Sequence, residues 1–149
     1  MKPARIPAVL LALALGSACE TPVPTGGVGC QLELATRADI VEDTVVVDVW
    51  VTVFGEDRVL SIPNCVGTTL NSVAVVPCDD QGQPDPSGCQ PATFELRRDT
   101  SVQVARIERP LGGDACNEPL EPGLYDVAAF GVETADLEVC RLYDILVVP

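Results

Sequence analysis

The sequence predicts an all-β domain, an antiparallel β-sandwich of about eight strands, and three observations carry that expectation. Thr44 to Phe54 alternates with period two, and a β-branched stripe at that period suits a pleated surface with one buried face. Val45, Val47, Val49, Val51 and Val53 form the stripe that should face the core. Asp48, Trp50, Thr52 and Phe54 point the other way. Similar short runs recur between turn signals at intervals of roughly ten residues, as in a sandwich. No segment carries a helical period or a helix cap.

Ahead of the strands stands MKPARIPAVLLALALGSAC. Lys2 and Arg5 form a positive head, Ile6 to Leu15 is an apolar run, and small residues precede Cys19. This is the layout of a secretory signal, with an apolar run too short to span a bilayer. Leu15-Gly16-Ser17-Ala18-Cys19 resembles the lipobox of bacterial lipoproteins. The resemblance implies that the signal is cut before Cys19, that Cys19 is diacylated, and that two acyl chains hold the protein to a membrane. Glu20, in place of the Asp that retains some lipoproteins at the inner membrane, points to the outer one. The expected organisation is a signal peptide over 1–18, the lipidated cysteine and a flexible Pro/Gly/Thr tether over 19–29, and the β-sandwich over 30–149. The tether reaches at most about 35 Å when extended.

Within the domain, Leu32 and Leu34 alternate with polar neighbours in a first strand over Gln31 to Ala35, and Arg37 to Asp43 reads as a polar connection. After Thr44 to Phe54, Gly55-Glu56-Asp57 reads as a hairpin turn into Arg58 to Ile62, where Pro63 ends the strand. Further strands are expected over Asn71 to Cys78, Thr93 to Arg98, Val102 to Arg109, Gly123 to Glu133 and Leu137 to Val148. Two long loops, Asp79 to Pro91 and Pro110 to Pro122, separate them. Glu121-Pro122-Gly123-Leu124-Tyr125-Asp126-Val127 resembles the entry to a late strand in immunoglobulin-like sandwich domains. That resemblance implies an immunoglobulin-like fold in which the tyrosine hydroxyl bonds backbone at the sheet corner.

Setting Cys19 aside leaves six cysteines, Cys30, Cys65, Cys78, Cys89, Cys116 and Cys140, an even set suited to three disulfides in an oxidising compartment. Fifteen connectivities are open. Proximity along the chain favours Cys78–Cys89 across one loop, Cys116–Cys140 around the last hairpin, and Cys30–Cys65 between the first strand and the sheet. The set lacks a C-x-x-C pair and a histidine, which argues against structural zinc.

Charge and composition exclude more than they select. With no histidine in the chain, and no lysine after Lys2, seven arginines face 22 acids in residues 19–149, a net charge of −15. Such a surface repels phosphate backbones, so no nucleic-acid partner is expected. The absence of histidine removes Ser-His-Asp and Cys-His catalysis, and the absence of lysine removes a Schiff base. Paired carboxylates could still hydrolyse a glycoside. Glu95, Glu108, Asp126 and Glu138 are the candidates, although on separate strands they read first as solvated faces. Asp79-Asp80-Gln81-Gly82-Gln83-Pro84-Asp85 superficially resembles an acidic calcium loop but lacks its regular spacing. No cofactor is expected. If a cation binds, it is calcium through Asp79, Asp80 and Asp85. Trp50 and Phe54 are either rings packed beneath a crossing loop or, if uncovered, a partner contact.

These readings lead to a non-enzymatic, membrane-tethered binding or accessory module of the cell envelope, with a protein or glycan partner met by the two long loops. A calcium-dependent or carboxylate-based small hydrolase, or a protease-inhibitor-like loop presenter, is the alternative.

Overall fold

The computed structural model describes residues 29–62, 66–75, 78–79, 81–83, 92–132 and 136–149. Among them are ten strands and no helix: β1 (Leu32–Val41), β2 (Thr44–Val53), β3 (Arg58–Ile62), β4 (Gly67–Leu70), β5 (Val73–Val75), β6 (Ala92–Leu96), β7 (Ser101–Pro110), β8 (Gly123–Phe130), β9 (Val139–Leu142) and β10 (Asp144–Val148). Two four-stranded sheets run in the orders β7-β2-β1-β9 and β10-β8-β4-β5, and β3 pairs with β6 in a separate ribbon.

The valine stripe of β2 makes the core. Val45, Val47, Val49, Val51 and Val53 are each at most 1% exposed. Its later half, with Leu32 and Leu34 of β1, packs against Leu60, Ile62 and Leu96 of the ribbon and Ala129 and Val132. Its earlier half packs against Leu70, Val75, Val127, Leu146 and Val148 of the second sheet. One strand therefore supplies apolar area to both halves, and the two sheets face each other across it. The Thr36 hydroxyl crosses this gap to donate to the Val127 carbonyl at 3.1 Å, which satisfies a buried donor within apolar surroundings. Opposite Val49 and Trp50 the register slips, so that β7 carries one extra residue, Val104, between Gln103 and Ala105. This β-bulge lets the adjacent Val104 and Ala105 both pack towards the core.

Several expectations need correction. The first strand runs to Val41, and the connection expected over Arg37 to Asp43 shrinks to a turn at Glu42 and Asp43. The inward residues Ala38 and Ile40 continue the alternation of Leu32, Leu34 and Thr36, and β2 supplies a pairing partner all the way to Thr44. β2 and β3 are not a hairpin, because both edges of β2 are taken by β1 and β7 and β3 passes to β6. Of the strand expected over Asn71 to Cys78, Val73–Val75 is β5, and Asn71 and Ser72, with φ of 49° and 69°, are instead the turn that joins it to β4 in a hairpin. Positive φ at both central residues matches the twist of a two-residue hairpin.

The last expected strand divides at Tyr143. β9 pairs with β1 and β10 pairs with β8, so the chain changes sheets. Asp144 anchors the change: its Oδ2 accepts from the Ala38 amide at 2.7 Å and its Oδ1 from the Ile145 amide at 2.8 Å. The β1–β9 pair is parallel, so the sandwich is mixed and not wholly antiparallel. Among the described residues no helix is long and apolar enough to cross a membrane. Cys19, the signal and the tether to residue 28 lie outside the described residues.

Candidate functional site

Two disulfides stand among the described residues, and neither follows proximity along the chain. Cys30 pairs with Cys140 at a Cα–Cα separation of 5.6 Å, and Cys78 pairs with Cys116 at 5.9 Å. The expected Cys78–Cys89, Cys116–Cys140 and Cys30–Cys65 bridges are all replaced. The physical reason is topology. The parallel pairing of β1 with β9 sets Leu32 beside Val139 and brings Cys30 to Cys140, so strand neighbours and not chain neighbours select the partner. Cys65 and Cys89 lie outside the described residues.

The Cys78–Cys116 bridge joins the two loops singled out in the sequence. A second approach lies close by, since a Cβ built on Gly82 would come within 2.6 Å of the Ala115 methyl carbon. The loop that follows β7 is tightly constructed. Leu111 donates to the Asp43 carbonyl at 2.8 Å, Gly113 to that of Pro110 at 3.1 Å, Asp114 to that of Asn117 at 2.9 Å, and Leu120 to that of Leu111 at 2.9 Å. Gly113 has φ of 79°, and a Cβ there would meet the Asn117 carbonyl oxygen at 2.7 Å, so glycine is required.

Asp114 organises the turn. Its Oδ1 accepts from the Cys116 and Asn117 amides and the Asn117 side-chain amide, each at 2.8 Å. Burial pushes the Asp114 carboxyl up, but the hydrogen bonds from Asn117 and Cys116, with Arg109 nearby, hold it below the usual carboxylate range. Arg109 enters from β7 beneath this loop. It is 5% exposed, and its guanidinium donates to the Glu118 carbonyl. Burial lowers its pKa, against the opposing pull of Asp114 and Tyr125. Its Nε is buried without a hydrogen-bond partner. At the far end of the loop, the Tyr125 hydroxyl donates to the Glu121 carbonyl at 2.9 Å, the backbone bond implied by the resemblance of this stretch to a sandwich-domain corner.

The oxygen ligands considered for calcium are only partly placed. Asp79 Oδ1 accepts from the Gln81 and Gln83 amides at 2.9 and 2.8 Å, so this oxygen caps its own turn. Asp80 and Asp85 lie outside the described residues. Cys78, Asp114 and Cys116 bring three ligand-type atoms together, yet the two sulfurs are bonded to each other and Asp114 Oδ1 is taken by three donors. A disulfide offers no thiolate to a metal. Glu95 lies on the β3–β6 ribbon, Glu108 on β7 of the first sheet, Asp126 on β8 of the second, and Glu138 just before β9. Glu108 is bonded to Arg106 at 2.8 Å. No pair of these carboxylates shares a ladder.

Trp50 stands on the face of β2 turned away from the valine stripe, Phe54 follows just past the end of the strand, and both are half-buried. Trp50 Nε1 is buried without a partner. Trp50 lies opposite Ala35, which is 4% exposed. At cross-strand spacing a ring so placed covers the smaller neighbour; Phe54 donates its backbone amide to the Gln31 carbonyl at 2.9 Å.

Arg109, Asp114 and Asn117 were not legible as a unit. An arginine at a strand end resembles any other, and only the returning loop gives it a roof. The Asp-Ala-Cys-Asn order after Gly112-Gly113 is the one local signal, since Asp favours turns through its side-chain acceptor. No family model matches the chain, and no curated protein matches it. Among solved structures, the selenomethionine-labelled β-glucosidase from Kluyveromyces marxianus aligns over 80% of this chain and 14% of its own, with a TM-score of 0.40 at 14% identity. The glucose complex of that enzyme aligns over the same shares, with 0.41 at 16%. The chain thus spans about one-seventh of the length of those proteins, and likeness at that level carries no argument about this one.

Proposed function

We propose that the chain is an exported, lipid-anchored binding module of the cell envelope that performs no chemistry of its own and meets a protein partner through its two bridged loops. The observation that carries this reading is the Cys78–Cys116 bridge, which fixes one long loop to the other. Rigid loops on a sheet scaffold lose little entropy when they bind. The exposed loop residues include Asp79, Asp114, Glu118 and Glu121, so a basic surface is the complementary partner. The described loop residues 78–79, 81–83 and 111–122 include no aromatic ring. A stacking platform for sugars is missing from that set, which favours protein over glycan.

Disulfides between residues so distant in sequence support residence in an oxidising compartment, in keeping with a signal ending at Cys19. The finer reading of the fold, an immunoglobulin-like sandwich, is supported by the two facing sheets and the Tyr125–Glu121 corner bond.

Photocrosslinking in intact cells tests the partner. A photoreactive residue at Ala115 is expected to give one discrete protein adduct, lost in the Cys78→Ser/Cys116→Ser double variant. The same probe at exposed Thr93 on β6 should give none. Equal labelling from both positions overturns the assignment to the loops. For the anchor, labelled palmitate should enter the wild type and not Cys19→Ser.

A further inference from the structure

We infer that the outer face of β8 and β10 is a docking surface for a protein segment that presents aliphatic side chains around one lysine or arginine. The strand register lays the surface out. Leu124 stands opposite Val147, and Asp126 opposite Ile145, so these four side chains form one cross-strand square on the outward face. Three corners are aliphatic and 62–68% exposed, and the fourth is an exposed carboxylate. Neighbouring corners lie about 5 Å apart across the strands and about 7 Å apart along them. Beyond the square the floor is low, because Ala128 pairs with Thr69 and Thr69 with Ala74 on the same face. A partner backbone can approach the sheet closely there, until the Phe130 ring against Gly67 closes the far end.

Charge decides what that partner is. β4, β5, β8 and β10 carry two charged residues between them, Asp126 and Asp144, and no base. Asp144 is engaged by the Ala38 and Ile145 amides. Asp126 is tied through its backbone, whose amide donates to Asn71 Oδ1 at 2.8 Å and whose carbonyl accepts from the Asn71 amide at 3.0 Å. Its carboxylate has no partner among the described residues and stands beside three aliphatic side chains. The first sheet, by contrast, carries Arg37, Arg106, Arg109 and Arg141. An arriving aliphatic surface strips water from Asp126, and a buried charge left unpaired is strongly unfavourable. The partner must therefore bring a cation to that corner, and an apolar partner without one is rejected by the same carboxylate. A second copy would set one Asp126 near another, between chains that each hold 22 acids against 9 bases. An anionic bilayer meets the same repulsion. The face begins two residues past Pro122, where the second long loop ends, yet its contact is separate from that of the loops.

The test uses the full-length protein isolated from cells, kept with phosphatidylcholine nanodiscs, its Leu, Ile and Val methyl groups labelled for NMR. Three short peptides have valine at alternate positions with serine between; the central valine is kept, replaced by lysine, or replaced by glutamate. A fourth keeps the lysine and has serine in place of every valine. The valine–lysine peptide is expected to shift the Leu124, Ile145 and Val147 methyl signals and to bind roughly tenfold more tightly than the all-valine peptide. The glutamate and serine–lysine peptides should leave those signals in place. Asp126→Asn should remove the preference for lysine over valine, and Ile145→Ser/Val147→Ser should abolish the Leu124 shift. Equal binding of the two lysine peptides overturns the inference, because charge alone then attracts them. So does an unchanged preference in Asp126→Asn, or no shift with the valine–lysine peptide, whether lipid, a second copy or nothing covers the face. Glu118→Gln, in the bridged loop, should leave the shifts unchanged, and their loss there would move the contact to the loops and overturn the assignment to β8 and β10. The Ala115 photocrosslink reads the loop contact by itself, so either proposal can fail without the other.

Discussion

The two sheets treat water differently. In the sheet built on β1 and β2, parts of the outward face are nearly as dry as the core face, with Glu33 2%, Thr52 3% and Val46 6% exposed, while Arg37 and Asp39 stay open. In the sheet built on β8 and β10, the outward face is open, with Leu124 68% and Ile145 and Val147 each 62% exposed. The difference follows from what each strand carries between its core residues. β2 places Trp50 on its outward row beside Thr52, and Phe54 follows just past its end, opposite the start of β1. The Thr52 hydroxyl shares a hydrogen with Ser101 at 2.8 Å. On the second sheet's outer face Leu124, Ile145 and Val147 stand in the open beside the exposed acid Asp126, and the Phe130 ring lies at the far end of β8 against Gly67, too distant along the strand to cover them. Alternation therefore names the inner face of a strand, whereas the fate of the outer face depends on the size of neighbours that only the register supplies.

If the first sheet is the better secured of the two, damage to it should cost most. The Cys30–Cys140 bridge fastens its parallel pair at a sequence separation of 110. Removing both sulfurs in Cys30→Ser/Cys140→Ser should cost about 4.8 kcal/mol on chain-entropy grounds, against about 3.9 kcal/mol for the Cys78–Cys116 pair. Denaturant melts of the two double variants measure this, and equal midpoints would remove the ranking. Next comes Leu34→Ala in β1, a side chain 1% exposed against Val51. It should cost about 2–5 kcal/mol through lost transfer energy and a residual cavity. A loss under 1 kcal/mol would mean that the first sheet collapses around the gap and is the softer one.

These two effects also separate what the residues announce from what they conceal. Leu32, Leu34 and the five valines of β2 were legible as core because period two is written locally. The Tyr125 corner was legible because donor and acceptor lie four residues apart. The partners of Cys30 and Cys78, the switch of sheets at Tyr143, and the pairing of β3 with β6 were not. Each depends on which strand edge is already occupied, a property of the assembled sheet and not of any window of sequence. The loop site was half legible. Its boundaries follow from Gly and Pro content, but the bridge that joins its halves and the arginine beneath it do not.

At the seam between the sheets, the loop after β7 tests how far pH reaches. Asp114 titrates below its ordinary range in the folded protein, so the stability it confers is present above the unfolded value of about 3.9 and is lost as pH falls from there towards the folded value. The stability difference between wild type and Asp114→Asn should be level from pH 7 to about pH 5 and shrink below it. Thermal melts across that range read the difference directly, and a gap that widens in acid reverses the sign. Tyr125→Phe acts at the corner of the second sheet. It removes one hydrogen bond to the Glu121 carbonyl and should cost about 1 kcal/mol.

The smallest effect belongs to the open face, and it is best measured between neighbours. Val147 and Val148 adjoin on β10, one 62% and the other 6% exposed. Threonine keeps the shape of valine and adds a hydroxyl. At Val147 that hydroxyl meets solvent, and the change should stay within about 0.5 kcal/mol. At Val148 it must be buried against the core, at a cost of about 1–3 kcal/mol if it finds no partner. The open strand edge does not upset this expectation. Asp144 Oδ1 already holds the Ile145 amide and Pro149 has no amide hydrogen, so among the described residues of β10 Val147 offers the one backbone donor left on that side, and pairing with another chain has little to build on. A Val147→Thr loss equal to that of Val148→Thr would mean that the second sheet is covered on its outer side as the first one is, and the contrast between the two sheets would disappear.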